Sequence, residues 1–270
     1  MAAAAAVVLA GVLAPPAAAA PPWIETCSEL AVDGRITDTV ILTDFWVDVD
    51  CDLTDVHVKG WVEVSPGVSL TAERLVVERS LAVAGDTSLV ASAVRGSVDL
   101  RPSGTPYAFS AETLTVRGDV VGSADTVSLR YARIDGGYDV ATSTLVRLQS
   151  STVTRDVIAR GGRLVVHDTT FLDSFESVGN GDVLVCRVSV AGNLHVTGLT
   201  DYARLGVEGT LRCRSQVHGS VVLEDNPHSV DLGPLEIDGD LVCFGNTGPR
   251  GITGLHLAQP EGSRIGQCRI

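Results

Sequence analysis

The 270-residue chain carries 20 Lys and Arg against 33 Asp and Glu, a net charge of −13, with only 4% aromatic residues and a single Met. Such acidity repels phosphate backbones and argues against nucleic acid as a partner. The scarcity of large side chains leaves a conventional compact core poorly supplied, whereas the abundant Val, Ala, Gly and Thr suit a thin core of stacked small residues.

In chain order, residues 1–20 read as a signal peptide. An alanine run leads through Val7, Val8, Leu9, Val12 and Leu13 to Ala17 and Ala20, small residues suited to cleavage. The stretch is too short to span a bilayer, and Pro15 and Pro16 interrupt it. No later apolar run could anchor the chain, so no membrane span is expected. Cys27 follows Ile24-Glu25-Thr26, which lacks the features of a lipoprotein cleavage box. The expected destination is extracellular.

The rest is dominated by a repeat of the form apolar, any, Gly, any, apolar. Its copies include Val32-Asp-Gly34-Arg-Ile36, Val58-Lys-Gly60-Trp-Val62, Val94-Arg-Gly96-Ser-Val98, Val116-Arg-Gly118-Asp-Val120, Ile134-Asp-Gly136-Gly-Tyr138, Val190-Ala-Gly192-Asn-Leu194, Val207-Glu-Gly209-Thr-Leu211, Val217-His-Gly219-Ser-Val221 and Ile237-Asp-Gly239-Asp-Leu241. Three more put Arg79, Arg155 or Asp173 in place of the glycine. From Gly60 to Gly192 the beat is about 19 residues, with period-2 alternation and many β-branched side chains. This predicts an all-β, single-chain parallel β-helix (β-solenoid) of about eleven rungs. Its crossovers are expected to be right-handed.

The glycine is expected at a bend, pointing outward, where it eases an unusual backbone angle. Residues four positions further on (Val64, Val83, Leu100, Val140, Ala159, Val196 and Leu223) are expected to face the lumen. Pro102 to Pro106 should bulge from a rung. Gly209 and Gly219 are too close for successive rungs, so one of those copies belongs on another side. The predicted organisation is a signal peptide at 1–20, an N-terminal cap with the first rung at 21–52, the solenoid at 53–243 and a C-terminal cap at 244–270.

Six cysteines form an even set, read as three disulfides in an oxidising compartment. Cys27 with Cys51, Cys186 with Cys213 and Cys243 with Cys268 would brace the parts of a solenoid that fray. A Cys213–Cys243 pairing is the rival, because both residues lie four after a repeat glycine.

Rungs such as Val190-Ala-Gly192-Asn-Leu194, leading to Cys243-Phe-Gly245-Asn and a terminal Gln267-Cys268, resemble a group of uncharacterised secreted actinobacterial β-solenoid repeat proteins. A looser similarity, confined to the rung pattern, is to bactofilins, cytoplasmic solenoids that polymerise end to end. Neither resemblance implies an activity.

Candidate chemistry is sparse. Asp44, Asp48, Asp50, Asp52 and Asp55 form the richest carboxylate run, and alternation would set Asp48, Asp50 and Asp52 on one strand face, where they could hold calcium. A solvated outer face beside the cap is the plainer expectation. His57, His167, His195, His218, His228 and His256 show no zinc-motif spacing. No Gly-x-Ser-x-Gly elbow occurs. Arg117-Gly118-Asp119 spells an integrin tripeptide but sits inside a repeat as ordinary filler. Trp23, Trp46, Trp61 and Tyr107 are the aromatics able to stack on a sugar.

These observations predict a secreted structural or cell-surface protein without catalytic residues or cofactor. A cell-wall or extracellular glycan is the candidate partner, and oligomeric state is left open. The alternatives are a polysaccharide-binding or polysaccharide-cleaving β-helix and a self-assembling extracellular filament.

Overall fold

The computed structural model describes residues 24–209 and 211–269. The predicted signal peptide and Trp23 lie outside them. Apart from a four-residue helix at Cys27–Leu30 and a 3-10 turn at Leu255–Leu257, regular structure is β. The alternation of small apolar side chains drives this: each strand turns one row of side chains inward and the next outward.

Every turn of the solenoid lays down three short strands on three faces, each paired in parallel with its equivalents one turn below and above. Face 1 runs from Ile24–Thr26 through Asp44–Val47, Val62–Val64, Leu81–Val83 and Val98–Leu100 to Leu241–Phe244 and Arg264–Gly266. Face 2 begins at 35–37 and passes through Ser69–Glu73, Arg163–His167 and Val183–Cys186 to Val230–Leu232 and Ile252–Thr253. Face 3 begins at 39–41 and ends at Ala258–Pro260. The stack has about 13 turns, which at the spacing of parallel strands makes a rod roughly 60 Å long. The segments expected as caps contribute strands of their own at both ends.

The repeat unit is the corner from face 3 to face 1. Its first apolar residue closes face 3 and its last opens face 1, as with Val58 and Val62 or Val116 and Val120, all fully buried. The residues four after the glycine do face the lumen: Val64, Val83, Val140, Ala159, Val196 and Leu223 are 0% exposed.

The glycines themselves are explained differently from the expectation. None of Gly60, Gly96, Gly118, Gly136, Gly192, Gly219 or Gly239 has a positive φ. What excludes a side chain is the rung beneath. A Cβ on Gly96 would fall 2.7 Å from the carbonyl of Arg79, and one on Gly239 2.8 Å from that of Gly219. The corner amide reaches the carbonyl below at 2.9–3.3 Å whether the site holds glycine or, as at Arg79 and Arg155, a longer side chain.

The strained backbone lies at another corner. Between faces 2 and 3 a single left-handed residue bends the strand: Asp38, Asp55, Arg74, Ala91, Thr113, Tyr131, Ser150, Asp168 and Arg187 all have φ between 47° and 59°. One residue changes direction there without a loop, and stacking holds each in a conformation that side chains otherwise disfavour.

Two copies of the repeat are not corners. Val32 bridges Arg35 in an antiparallel lead-in and is 76% exposed. Val207-Glu208 pairs antiparallel with Leu211-Arg212, forming a small hairpin off the rod. Two real corners, at Thr43 and at Gly262, escape the pattern because Thr replaces Gly in one, while Pro260 and Arg264 replace the apolar residues in the other. These displaced and hidden copies offset one another, and the face-1 strand Ile24–Thr26 lies ahead of the first corner, so the stack has about 13 turns where the repeat suggested about eleven.

The residue after each corner glycine builds a ladder. Ser97, Asp119 and Gly137 each donate a backbone N–H to the side chain one rung below, on Ser80, Ser97 and Asp119, at 2.8–3.3 Å. The same contact continues from Ser174 through Asn193, Ser220 and Asp240 to Ser263. A short side-chain acceptor satisfies a corner donor that the sheet leaves over.

The three expected cysteine pairs are present, with Cα separations of 6.3 Å for Cys27–Cys51 and 5.4 Å for both Cys186–Cys213 and Cys243–Cys268. The first and last tie the ends. Cys186–Cys213 lies partway along the rod, on the outer side of face 2, and fastens the root of the hairpin. The Cys213–Cys243 rival fails because Cys213 ends the hairpin, whereas Cys243 belongs to face 1.

Candidate functional site

The carboxylate run is dispersed by the folding. Asp48 and Asp50 occupy the corner leading from face 1 to face 2, whereas Asp52 lies on face 2, so the three do not share a strand face. Asp48 accepts hydrogen bonds from the N–H and hydroxyl of Ser28, at 3.0 and 2.5 Å. Asp50 accepts from the N–H of Ser69 at 2.8 Å, and Asp44 from that of Trp61 at 3.0 Å. Asp52 faces Arg35 at 3.6 Å. Asp55 meets Arg74 across the left-handed corner, and this hydrogen bond holds its carboxyl below the usual range. Each carboxylate ties one rung to the next, and the candidate calcium arrangement of Asp48, Asp50 and Asp52 does not form.

Three of the histidines are likewise paired across rungs. His57 lies 2.5 Å from Glu78, and this contact, together with Arg95 and Lys59, lowers the carboxyl's pKa. His195 sits between Glu176 at 3.6 Å and Glu224 at 3.5 Å, and His218 is 2.7 Å from Asp238. Arg117-Gly118-Asp119 is a rod corner: Gly118 donates to Gly96, and Asp119 accepts from Gly137.

Of the aromatics, Tyr107 is not a surface platform. It is 5% exposed, and its hydroxyl lies within 2.7–3.1 Å of the carbonyls of Ser123, Arg101 and Val83, pinning the bulge at 101–107. Trp46 is half-buried on face 1 and donates its indole N–H to Ser65.

Trp61 stands at the edge of a groove of about 360 Å³ on face 1. Ala82 forms its floor, and the polar rim comes from Glu63, Asp99, Arg79 and Arg101. Stacking brings Glu63, Ala82 and Asp99 into one outward row. Arg101 reaches both carboxylates, at 3.2 Å each, and its hydrogen bond to Asp99 raises the guanidinium's pKa. Arg79 has no carboxylate within 4 Å among the described residues. An indole beside a shallow apolar floor, ringed by planar charged groups, suits a sugar ring, whose C–H face stacks while its hydroxyls hydrogen-bond.

A second groove was not anticipated. Where the hairpin leans over face 2, a cleft of about 300 Å³ is lined by Arg147, Arg163, His167 and Glu208 above Val165 and Leu184. Both apolar residues face outward, yet they are only 8% and 4% exposed. Arg163 and Arg204 share Asp182, at 3.0 and 2.7 Å. Its sequence signal was the short interval between Gly209 and Gly219.

Together these features define a parallel β-solenoid whose surface carries several shallow grooves, the two described among them. No family model matches the chain, and no curated protein or solved structure matches it. Among the described residues no helix is long and apolar enough to cross a membrane.

Proposed function

We propose that the protein is an exported structural rod of the cell surface, without catalytic activity of its own. One observation carries this reading: the side chains able to do chemistry hold rung to rung, as Asp44, Asp48, Asp50, Asp119 and Asp240 do for backbone donors. A general acid or base needs a carboxyl free to reach substrate. The signal-like N-terminus and the three cysteine pairs support an oxidising destination. Incubating the mature protein with pectin, alginate and hyaluronan tests it. No turnover is expected, and turnover abolished by Asp99→Asn or Asp48→Ala would overturn the proposal.

The Trp61 groove favours a second reading, that the rod holds an extracellular glycan on face 1. A glycan array on the mature protein should then show binding that Trp61→Ala removes. Binding indifferent to that substitution would dismiss the groove.

A further inference from the structure

Beneath the hairpin, His167, Cys186 and Glu208 bring one ligand atom each within 4.8 Å of one another. His167 Nε2 and the Glu208 carboxylate are 3.5 Å apart. A fourth donor, Cys213, is joined to this group through its disulfide to Cys186 and stands outside the 4.8 Å cluster. Two sulfurs, an imidazole and a carboxylate are the donors that tetrahedral zinc takes, and its bond lengths place neighbouring ligand atoms about 3.3–3.8 Å apart.

We infer that, in its dithiol form, the Cys186–Cys213 pair completes a Zn²⁺ site with His167 and Glu208. Metal and disulfide are then alternative closures of the hairpin root. The disulfide form has no free thiolate and does not bind. Every disulfide begins as two thiols, and a low-molecular-weight thiol restores them: the protein S–S bond takes two electrons and two protons, while two thiol molecules become one disulfide. Zinc then displaces both thiol protons.

The surroundings fit. His167 is 14% exposed and Cys186 is fully buried, so two ligands are fixed by rung stacking. Glu208 and Cys213 come from the hairpin, whose outer strand carries Leu211 at 69% exposure, so this side can adjust to separate the sulfurs. Two thiolates and Glu208 leave the zinc complex one negative charge, and Arg163 and Arg147 line the same cleft.

The full mature chain is titrated with Co²⁺, whose thiolate charge-transfer and d–d bands report tetrahedral sulfur ligation, and Zn²⁺ is used to displace it. The oxidised protein should bind none, and the protein reduced by a thiol, with unchanged circular dichroism, should bind one. Cys213→Ser frees Cys186 without any reductant and leaves three ligands, so it should bind Co²⁺ at least about tenfold more weakly than the reduced protein. Adding His167→Ala should abolish that binding. This variant keeps the test valid if full reduction loosens the rod ends. Co²⁺ binding absent from Cys213→Ser, or unchanged by His167→Ala, overturns the site.

Discussion

Phe175 offers the sharpest test of a lumen filled rung by rung. It is 0% exposed, stacked between Val157 below and Leu194 above, and its ring packs against Phe171 with centroids 4.7 Å apart. Phe175→Ala removes a fully buried ring from a core one side chain wide, where the two flanking rungs cannot close the gap without breaking register. Such truncations cost about 3–5 kcal/mol. In a rod whose turns touch only their neighbours, that loss falls on the coupling between the halves. The three tryptophans, at positions 23, 46 and 61, all lie in the N-terminal part, so fluorescence follows that half while far-ultraviolet circular dichroism follows the whole chain. In urea, the wild type should show coincident transitions and Phe175→Ala separate ones, with the half away from Trp46 and Trp61 melting first. Coincident transitions with a loss under about 1 kcal/mol would refute tight rung-to-rung filling.

Other expectations follow from single groups. The Tyr138 hydroxyl is buried without a hydrogen-bond partner, so Tyr138→Phe should leave stability unchanged or raise it by about 1 kcal/mol, as read from the urea midpoint. Burial raises the pKa of both Tyr107 and Tyr138, and an alkaline absorbance titration should find these two resisting ionisation until the rod unfolds. The hydrogen bond from Arg187 holds Asp168 below its ordinary 3.8. Its contribution is therefore present above the unfolded value and lost as pH falls through the lower folded value. Melting temperature should drop on acidification below about pH 4, and Asp168→Asn should flatten that limb. Replacing Cys186 and Cys213 together by Ser should make the hairpin the first site cut by protease, with the rod's circular dichroism intact.

The fold was legible because a solenoid repeats its instructions. Val58, Val77, Val94 and Val116 recur in phase, and stacking equivalent residues is enough to bury them. The cysteine pairs were legible only in part: the ends of the stack pointed to Cys27–Cys51, but Cys213–Cys243 remained a rival until the hairpin placed Cys213 away from face 1. The left-handed corner between faces 2 and 3 was not legible. Its residues, from Asp38 to Arg187, share a backbone angle and no side-chain type, because neighbouring rungs impose the conformation and no residue's own preference selects it. The corner glycines were found and wrongly explained: their constraint is a carbonyl about 19 residues away in sequence.

The candidate site divides in the same way. Trp61 was visible as an outward aromatic, but its groove needed Glu63, Ala82, Asp99 and Arg101 from three successive rungs. The groups at His167, Cys186 and Glu208 match no linear motif, since they meet only when the hairpin folds back over face 2.

The sequence by itself determined the strand period and the lumen-facing rows, both of which depend on contacts between equivalent positions. Tertiary structure alone decided where the hairpin leans, which carboxylates face a donor, and which glycines are pressed by a neighbour. Those depend on groups one turn of the rod apart, brought together by parallel hydrogen bonding.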